Sequence, residues 1–384
     1  LIVLCYLITK NVSISSNGKL IFFLIISLIS ISLIDYDLNS GNLFSYRDIP
    51  IIFSLILFFK YLENFKHSYL SLMLIGFLSV VTFFWSIDRA LVLNLLLISM
   101  CIFILINKEF KSLLIIIFSI IFSWFLFYLY LGDEFKLFYE NSFSVLKNQN
   151  YIHGIIHPQP FSEMPNSTRA TKSLLLITLS LIISLSFIFK KREKYNNNFK
   201  IIIILLSFLS FFTYIYALGR SDGGHIKQTT GPLILFFSVI IFFTLISYFK
   251  NFLQKKFLIS KISTFLILIL FITFFISLNI NYKNIVNYSK RFNEYIYLED
   301  RNFLSKDQNY LVKNLKPSLE KFDCIQLFTY DAALPYLLKK PNCTKYYFIY
   351  SLGSIEDQKS LIKEMKDVKF VIYSGQTDNW GFSP

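Results

Sequence analysis

The sequence predicts an α-helical polytopic membrane protein of about nine or ten spans, followed by a small external α/β domain at its C-terminal end. Three observations carry that prediction. Of the 384 residues 54% are hydrophobic and only 16% charged, and the mean hydropathy is +0.54. Apolar runs of spanning or near-spanning length recur over residues 1–280. Beyond residue 281 the hydropathy falls and short alternating runs appear.

Taken in order, the first run, "LIVLCYLIT" (1–9), is too short to cross a bilayer and reads as the end of a helix that starts upstream. Helices are expected near 20–34, 50–62, 69–85, 90–106, 113–131, 173–189, 201–217, 232–248 and 262–280. Arg47–Asp48 before Pro50 reads as a helix start, with Asp48 as N-cap and proline at an early helical position. Asp88–Arg89 reads as an ion pair in the short turn between two helices. Residues 132–172 are expected to be a long external loop that starts at Asp133–Glu134. It contains His153 and His157, but Gly154 and Pro158 argue against a regular helix there and no third ligand for a metal is evident.

Orientation follows from Lys and Arg counts in alternate connections. Connections 10–19, 60–68, 107–112, 190–200 and 249–261 carry about fifteen in roughly fifty residues; 35–49, 86–89, 132–172 and 218–231 carry about eight in more than seventy. The first set is therefore expected in the cytoplasm. The net charge of +14 owes much to this asymmetry, and no aromatic-basic surface motif accompanies it, so nucleic acid is not expected as a partner.

The ionisable residues at helix ends then gather on the outer face: Asp35, Asp37, Arg47, Asp48, Asp88, Arg89, Arg220, Asp222 and His225. The stretch "ALGRSDGGHIKQTTGP" (217–232) stands out, because a simple connection needs polarity and turn residues but not this cluster. Gly223 and Gly224 allow close backbone approach to a ligand or positive φ. Arg220 and Lys227 suit a phosphate, and Asp222 or His225 suits proton transfer.

In the tail, 322–330 reads as a buried strand, 331–340 as a helix carrying Pro335, 344–350 as a strand, 354–367 as an amphipathic helix and 368–375 as a strand. That order suggests a small α/β domain. Cys5 and Cys101 fall in apolar spans, whereas Cys324 and Cys343 fall in the tail and are expected to form one disulfide, as suits an exported domain.

Three stretches carry a resemblance to a known family: 47–91, "RDIPIIFSLILFFKYLENFKHSYLSLMLIGFLSVVTFFWSIDRAL"; 217–232; and the tail from "DCIQLFTYDAALPYLLKKPNCTKYYF" through "DQKSLIKEMKDVKFVIYSG". Together they resemble the GT-C superfamily of integral-membrane glycosyltransferases, in particular the bacterial branch of protein O-mannosyltransferase-like and aminoarabinose transferase-like enzymes. The resemblance implies a multi-pass protein of the bacterial inner membrane that moves a sugar from a polyprenyl-phosphate donor to a lipid, glycan or protein acceptor on the outer face. It implies an aspartate in the first external loop as general base; here the stub at 1–9 matches the family's second helix, so that aspartate would lie upstream, in a segment missing from this chain. Arg220, Lys227 and Arg47 are then candidates for the donor phosphate, Asp222 and His225 for catalysis, and Asp48, Asp88 and Arg89 for acceptor orientation or structure. A divalent cation is used by some relatives and not by others. Other readings are an envelope-polymer enzyme such as an O-antigen ligase or polymerase, a transporter or flippase, and a membrane scaffold or sensor. The spans are nearly uncharged and show no clear repeat, which speaks against transport.

Overall fold

The computed structural model of the chain describes residues 1–33, 44, 46–63, 68–152, 160–163, 167–189, 196–218, 230–248, 262, 265–270, 272, 288–298, 302, 304–329, 334–346 and 355–373. It divides into two compact units, Leu1–Lys136 with His157–Ile280, and Leu137–Ile156 with Asn281–Pro384.

The first unit is a helical bundle: α1 (Ile2–Lys10), α2 (Ser16–Ser32), α3 (Ile49–Glu63), α4 (Tyr69–Trp85), α5 (Ile87–Ile106), α6 (Phe110–Leu131), α8 (Ser167–Phe189), α9 (Asn197–Leu218) and α10 (Thr230–Tyr248). Of these, α5, α6, α8, α9 and α10 are long and apolar enough to cross a membrane, while α2 and α4 are shorter apolar helices. In the expected span 262–280, residues 265–270 are helical and most of the remainder lies outside the described residues. Helix α9 packs against α3, α5, α8 and α10, and α4 against α3, α5 and α6.

The pattern of burial is inverted relative to a water-soluble bundle. Helix α6 buries Ser112, Ile116, Ser119, Ser123 and Phe127, a stripe at helical spacing made largely of serine. Its exposed side carries Phe118, Ile121, Phe122, Phe125 and Leu129. The stripe meets α4 at Gly76, where an added Cβ would lie 2.6 Å from Ser119 Cβ and 3.0 Å from the Ile120 backbone nitrogen. Only glycine lets the two backbones approach so closely, and Ser119 Oγ then donates to the Met73 carbonyl at 2.6 Å. Asn94 Nδ2 donates across to the Ser79 carbonyl at 3.0 Å, and the hydroxyls of Ser180 and Ser207 lie 2.9 Å apart. Small and polar residues between helices with apolar residues outside is the packing expected where the surroundings are lipid.

The connections sort to two ends. At one, Lys10 Nζ pairs with Glu63 Oε2 at 2.7 Å. There too Asn198 Nδ2 donates to the Leu62 carbonyl at 3.0 Å, and the Lys111 ammonium sits 4.9 Å from the Tyr69 ring centroid. Hydrogen bonding to Glu63 raises the Lys10 pKa above the usual lysine value. At the other end, Trp85 Nε1 donates to the Tyr46 carbonyl at 3.0 Å and the Tyr214 hydroxyl to the Ala170 carbonyl at 3.2 Å. The described ends of the basic connections are thus gathered at one end and those of the sparse connections at the other. Exposed Tyr46, Trp85, Tyr128 and Tyr130 ring the second end, as aromatic residues do at a membrane–water boundary.

The second unit contains α11 (Tyr288–Tyr297), α12 (Lys306–Leu319), β1 (Gln326–Phe328), α13 (Leu334–Leu338), α14 (Ile355–Glu364) and β2 (Val371–Tyr373). The strands pair in parallel, Leu327 opposite Ile372, with α13 and α14 between them in the chain. Leu319, Ile325, Leu327, Leu334, Leu338 and Ile372 form its core. Helix α12 starts with a capping box, in which Ser305 Oγ accepts from the Gln308 backbone and Gln308 Oε1 accepts from the Ser305 backbone. Cys324 and Cys343 form a disulfide. Beside it, buried Gln326 donates to the Tyr346 carbonyl at 2.8 Å and accepts from Thr344 Oγ1 at 2.8 Å.

Two expectations need correction. Residues 132–172 are not a loop throughout, because α7 (Glu134–Ile152) occupies nineteen of them. Its charges, Glu134, Lys136, Glu140 and Lys147, disqualify it as a span, but Phe135, Phe138, Tyr139, Phe143 and Leu146 recur at helical spacing. Of the strand expected at 344–350, residues 344–346 are irregular and 347–350 lie outside the described residues. Thr344 and Tyr346 are drawn instead into the hydrogen bonds of Gln326.

Candidate functional site

The sparse end of the bundle brings together four of the residues singled out from the sequence. A single 3-10 turn, Tyr46–Asp48, leads into α3, and Pro50 sits in the first helical turn, where its missing N–H leaves no bond unmade. Asp48, expected as an N-cap, is buried (7% exposed) and faces across to another helix. Helices α4 and α5 are joined by one extended residue, Ser86, whose hydroxyl hydrogen-bonds Asp88 Oδ1. Asp88 lies in the first turn of α5, where negative charge is favoured by the helix dipole.

These turns build an alternating chain of charges. Arg89 Nε lies 2.9 Å from Asp48 Oδ1, an ion pair by distance rather than an aligned hydrogen bond. The same nitrogen is 3.8 Å from Asp88 Oδ2, and Arg47 Nη1 lies 4.0 Å from that oxygen. The Asp88–Arg89 ion pair expected within the turn is therefore present but looser than the unforeseen pairing of Arg89 with Asp48, forty-one positions away. The members differ in access. The Arg89 and Asp48 side chains are 6% and 10% exposed, Asp88 15% and Arg47 52%. Arg47 is the member able to reach an external ligand, while Arg89 and Asp48 are held inside.

A cavity of about 10 Å³ adjoins the buried pair, lined by Phe44, Asp48, Arg89, Thr213 and Pro232 among others. That is room for about one water molecule, not for a sugar. Thr213 belongs to the last turns of α9 and Pro232 to the first turn of α10. The helices that lead into and out of 219–229 therefore both line the cavity beside the Asp48–Arg89 pair. Arg220, Asp222, His225 and Lys227 lie in that segment, outside the described residues, as do His153 and His157.

Among the described residues no group of three or more His, Cys, Asp or Glu side chains is placed to hold a metal ion. Asp48 and Asp88 are each in ionic contact with an arginine, and this donor set does not suit a divalent cation. Sequence reasoning missed Tyr46, Trp85, Ser86, Thr213 and Pro232, which build the surroundings of the charges. Only Ser86-x-Asp88 at a helix start left a local signal. No protein family, curated protein or solved structure matches this chain.

Proposed function

We propose that the protein is an integral-membrane glycosyltransferase of a bacterial inner membrane, which moves a sugar from a polyprenyl-phosphate donor to an acceptor on the outer side. One observation carries this reading: Arg47, Asp48, Asp88 and Arg89 share one end of the bundle with the helix ends that flank "GRSDGGHIKQT". A cluster of both signs, half-exposed at Arg47 and buried at Arg89 and Asp48, at the end of an apolar bundle suits a substrate with a polar head and a lipid tail.

In this reading Arg47 and Arg220 hold the donor phosphate, since a guanidinium offers two parallel charged hydrogen bonds to its oxygens. The acceptor hydroxyl attacks the anomeric carbon, forming the new glycosidic C–O bond as the carbon–oxygen bond to phosphate breaks. The hydroxyl proton passes to Asp222 or His225, and polyprenyl phosphate leaves with its charge held by the arginines and Lys227. Asp88, fixed by Ser86 and two arginines, orients the acceptor. The buried Asp48–Arg89 pair positions the turns and touches neither substrate.

The test is sugar release from a panel of radiolabelled polyprenyl-phosphate sugars by membranes containing wild type, Arg47→Ala, Arg220→Ala, Asp222→Asn or His225→Ala. Loss of turnover with normal membrane insertion supports the assignment. A wild type silent across the panel rejects transfer and favours the transporter or scaffold readings.

A further inference from the structure

The second unit carries an open groove of about 1200 Å³ between α12 and α13 that the functional reading does not use. Its wall on α12 presents Tyr310, Lys313 and Lys316; its other wall presents Tyr336 of α13 with Lys339 and Lys340 of the turn after it. Among the described residues no acidic side chain lines it, and none of these lysines lies within 4 Å of a carboxylate.

The six side chains are not equivalent. Lys340 Nζ donates to the Phe322 carbonyl at 2.6 Å and so ties the end of α13 to the chain entering β1. It fixes the floor of the groove. Lys313 and Lys339 are exposed, Lys316 half-buried, and Tyr310 and Tyr336 are 70% and 76% exposed. Two tyrosine rings left this open beside a set of ammonium groups form a surface prepared for a ligand.

Lys339 gives the second, independent sign. Helix α13 closes with the paired bonds of a Schellman motif, Lys339 N–H to the Tyr336 carbonyl and Lys340 N–H to the Pro335 carbonyl. The residue that must turn left-handed is Lys339, at φ 55°, where glycine is the default. A lysine at that position works against local stability, and strain of this kind collects at binding sites.

We infer that this groove binds an acidic glycan, its carboxylate or phosphate groups on Lys313, Lys316 and Lys339 and its sugar rings against Tyr310 and Tyr336. A flat anionic membrane would meet a convex basic face; a concave slot with an aromatic ring on each wall fits an extended chain of sugars. Its volume exceeds the range of about 300–1,000 Å³ usual for small-molecule sites. Calling this glycan the acceptor of the transferase rests on the function proposed above, whereas the binding itself does not.

The experiment uses the full chain in detergent, with a hexamer of galacturonic acid as probe and maltohexaose, inorganic phosphate and phosphatidylglycerol vesicles as comparisons. Wild type is expected to bind the acidic hexamer and not maltohexaose. Lys313→Ala with Lys316→Ala raises Kd about tenfold, more weakly at high salt, and Tyr336→Ala about three- to tenfold. Lys339→Gly guards against loss of folding as the explanation, because it should melt no lower than wild type and yet bind more weakly. Binding that survives both tyrosine-to-alanine changes, or phosphate competing as well as the hexamer, overturns the inference in favour of a bare anion patch. Preference for the vesicles overturns it in favour of a membrane contact. Glycan binding by a protein that transfers no sugar leaves the groove standing and removes only the name acceptor.

Discussion

Removing Arg89 should harm the bundle more than removing either aspartate beside it. At an effective dielectric constant of about 20, the 2.9 Å contact with Asp48 amounts to about 6 kcal/mol of direct attraction and the 3.8 Å contact with Asp88 to about 4 kcal/mol. Desolvation of the ions offsets much of this, so the net value of the cluster is small. The deletions are unequal, however. Arg89→Met removes the 2.9 Å partner of buried Asp48 and the 3.8 Å contact of Asp88, and the cost expected for breaking a buried pair from one side is about 3–5 kcal/mol. Asp48→Asn leaves Arg89 with Asp88 and should cost about 1–3 kcal/mol. Replacing both, Asp48→Leu with Arg89→Met, should be milder than Arg89→Met alone. Thermal unfolding of the purified protein in detergent reads these differences, with the Arg89→Met midpoint lower by on the order of 10 °C. Strictly additive effects, or Arg89→Met unfolding with wild type, would refute the argument that this pair joins α3 to α5.

Gly76→Ala should destabilise by about 1–3 kcal/mol because its Cβ meets Ser119 Cβ at 2.6 Å, and Ser119→Gly in the same chain should recover part of the loss; unfolding midpoints in detergent decide. Replacing Cys324 and Cys343, separated by 19 positions, with serine should cost the second unit about 3 kcal/mol on the loop-closure account, measured by limited proteolysis with and without reductant. The sorting of connections to two ends predicts that, with Cys5 and Cys101 replaced, an impermeant maleimide applied to intact cells labels Glu163→Cys and spares Asn107→Cys. The opposite labelling would invert the topology.

The helical bundle was legible because lipid-facing helices must be apolar over their length and because Lys and Arg mark alternate connections. The described ends of those connections do sort to opposite ends, as Lys10–Glu63 and Arg89–Asp48 show from the two sides. The pairing of Asp48 with Arg89 was not legible. Each reads locally as a cap or turn residue, and their meeting depends on how α3 packs beside α5. Helix α7 was hidden because its charges excluded a span and drew attention away from its helical period. Helix α12 carries a clear signal in Ser305-x-x-Gln308, a capping box. The groove lysines carried no signal in a chain where lysine is abundant. Only the fold separates Lys313, Lys316 and Lys339 from the rest.

On the proposed function, a lipid-linked phosphate docks at the end of the bundle that holds Arg47, Asp48, Asp88 and Arg89. The most direct measurement is photo-crosslinking of a diazirine-bearing polyprenyl phosphate to the protein in membranes, followed by mass spectrometry of the labelled peptides. Label is expected within 44–50, 85–90 and 217–232, reduced by Arg47→Ala and by unlabelled polyprenyl-phosphate sugar. Label confined to 10–19, 107–112 and 196–200, or unchanged by the competitor, would contradict it.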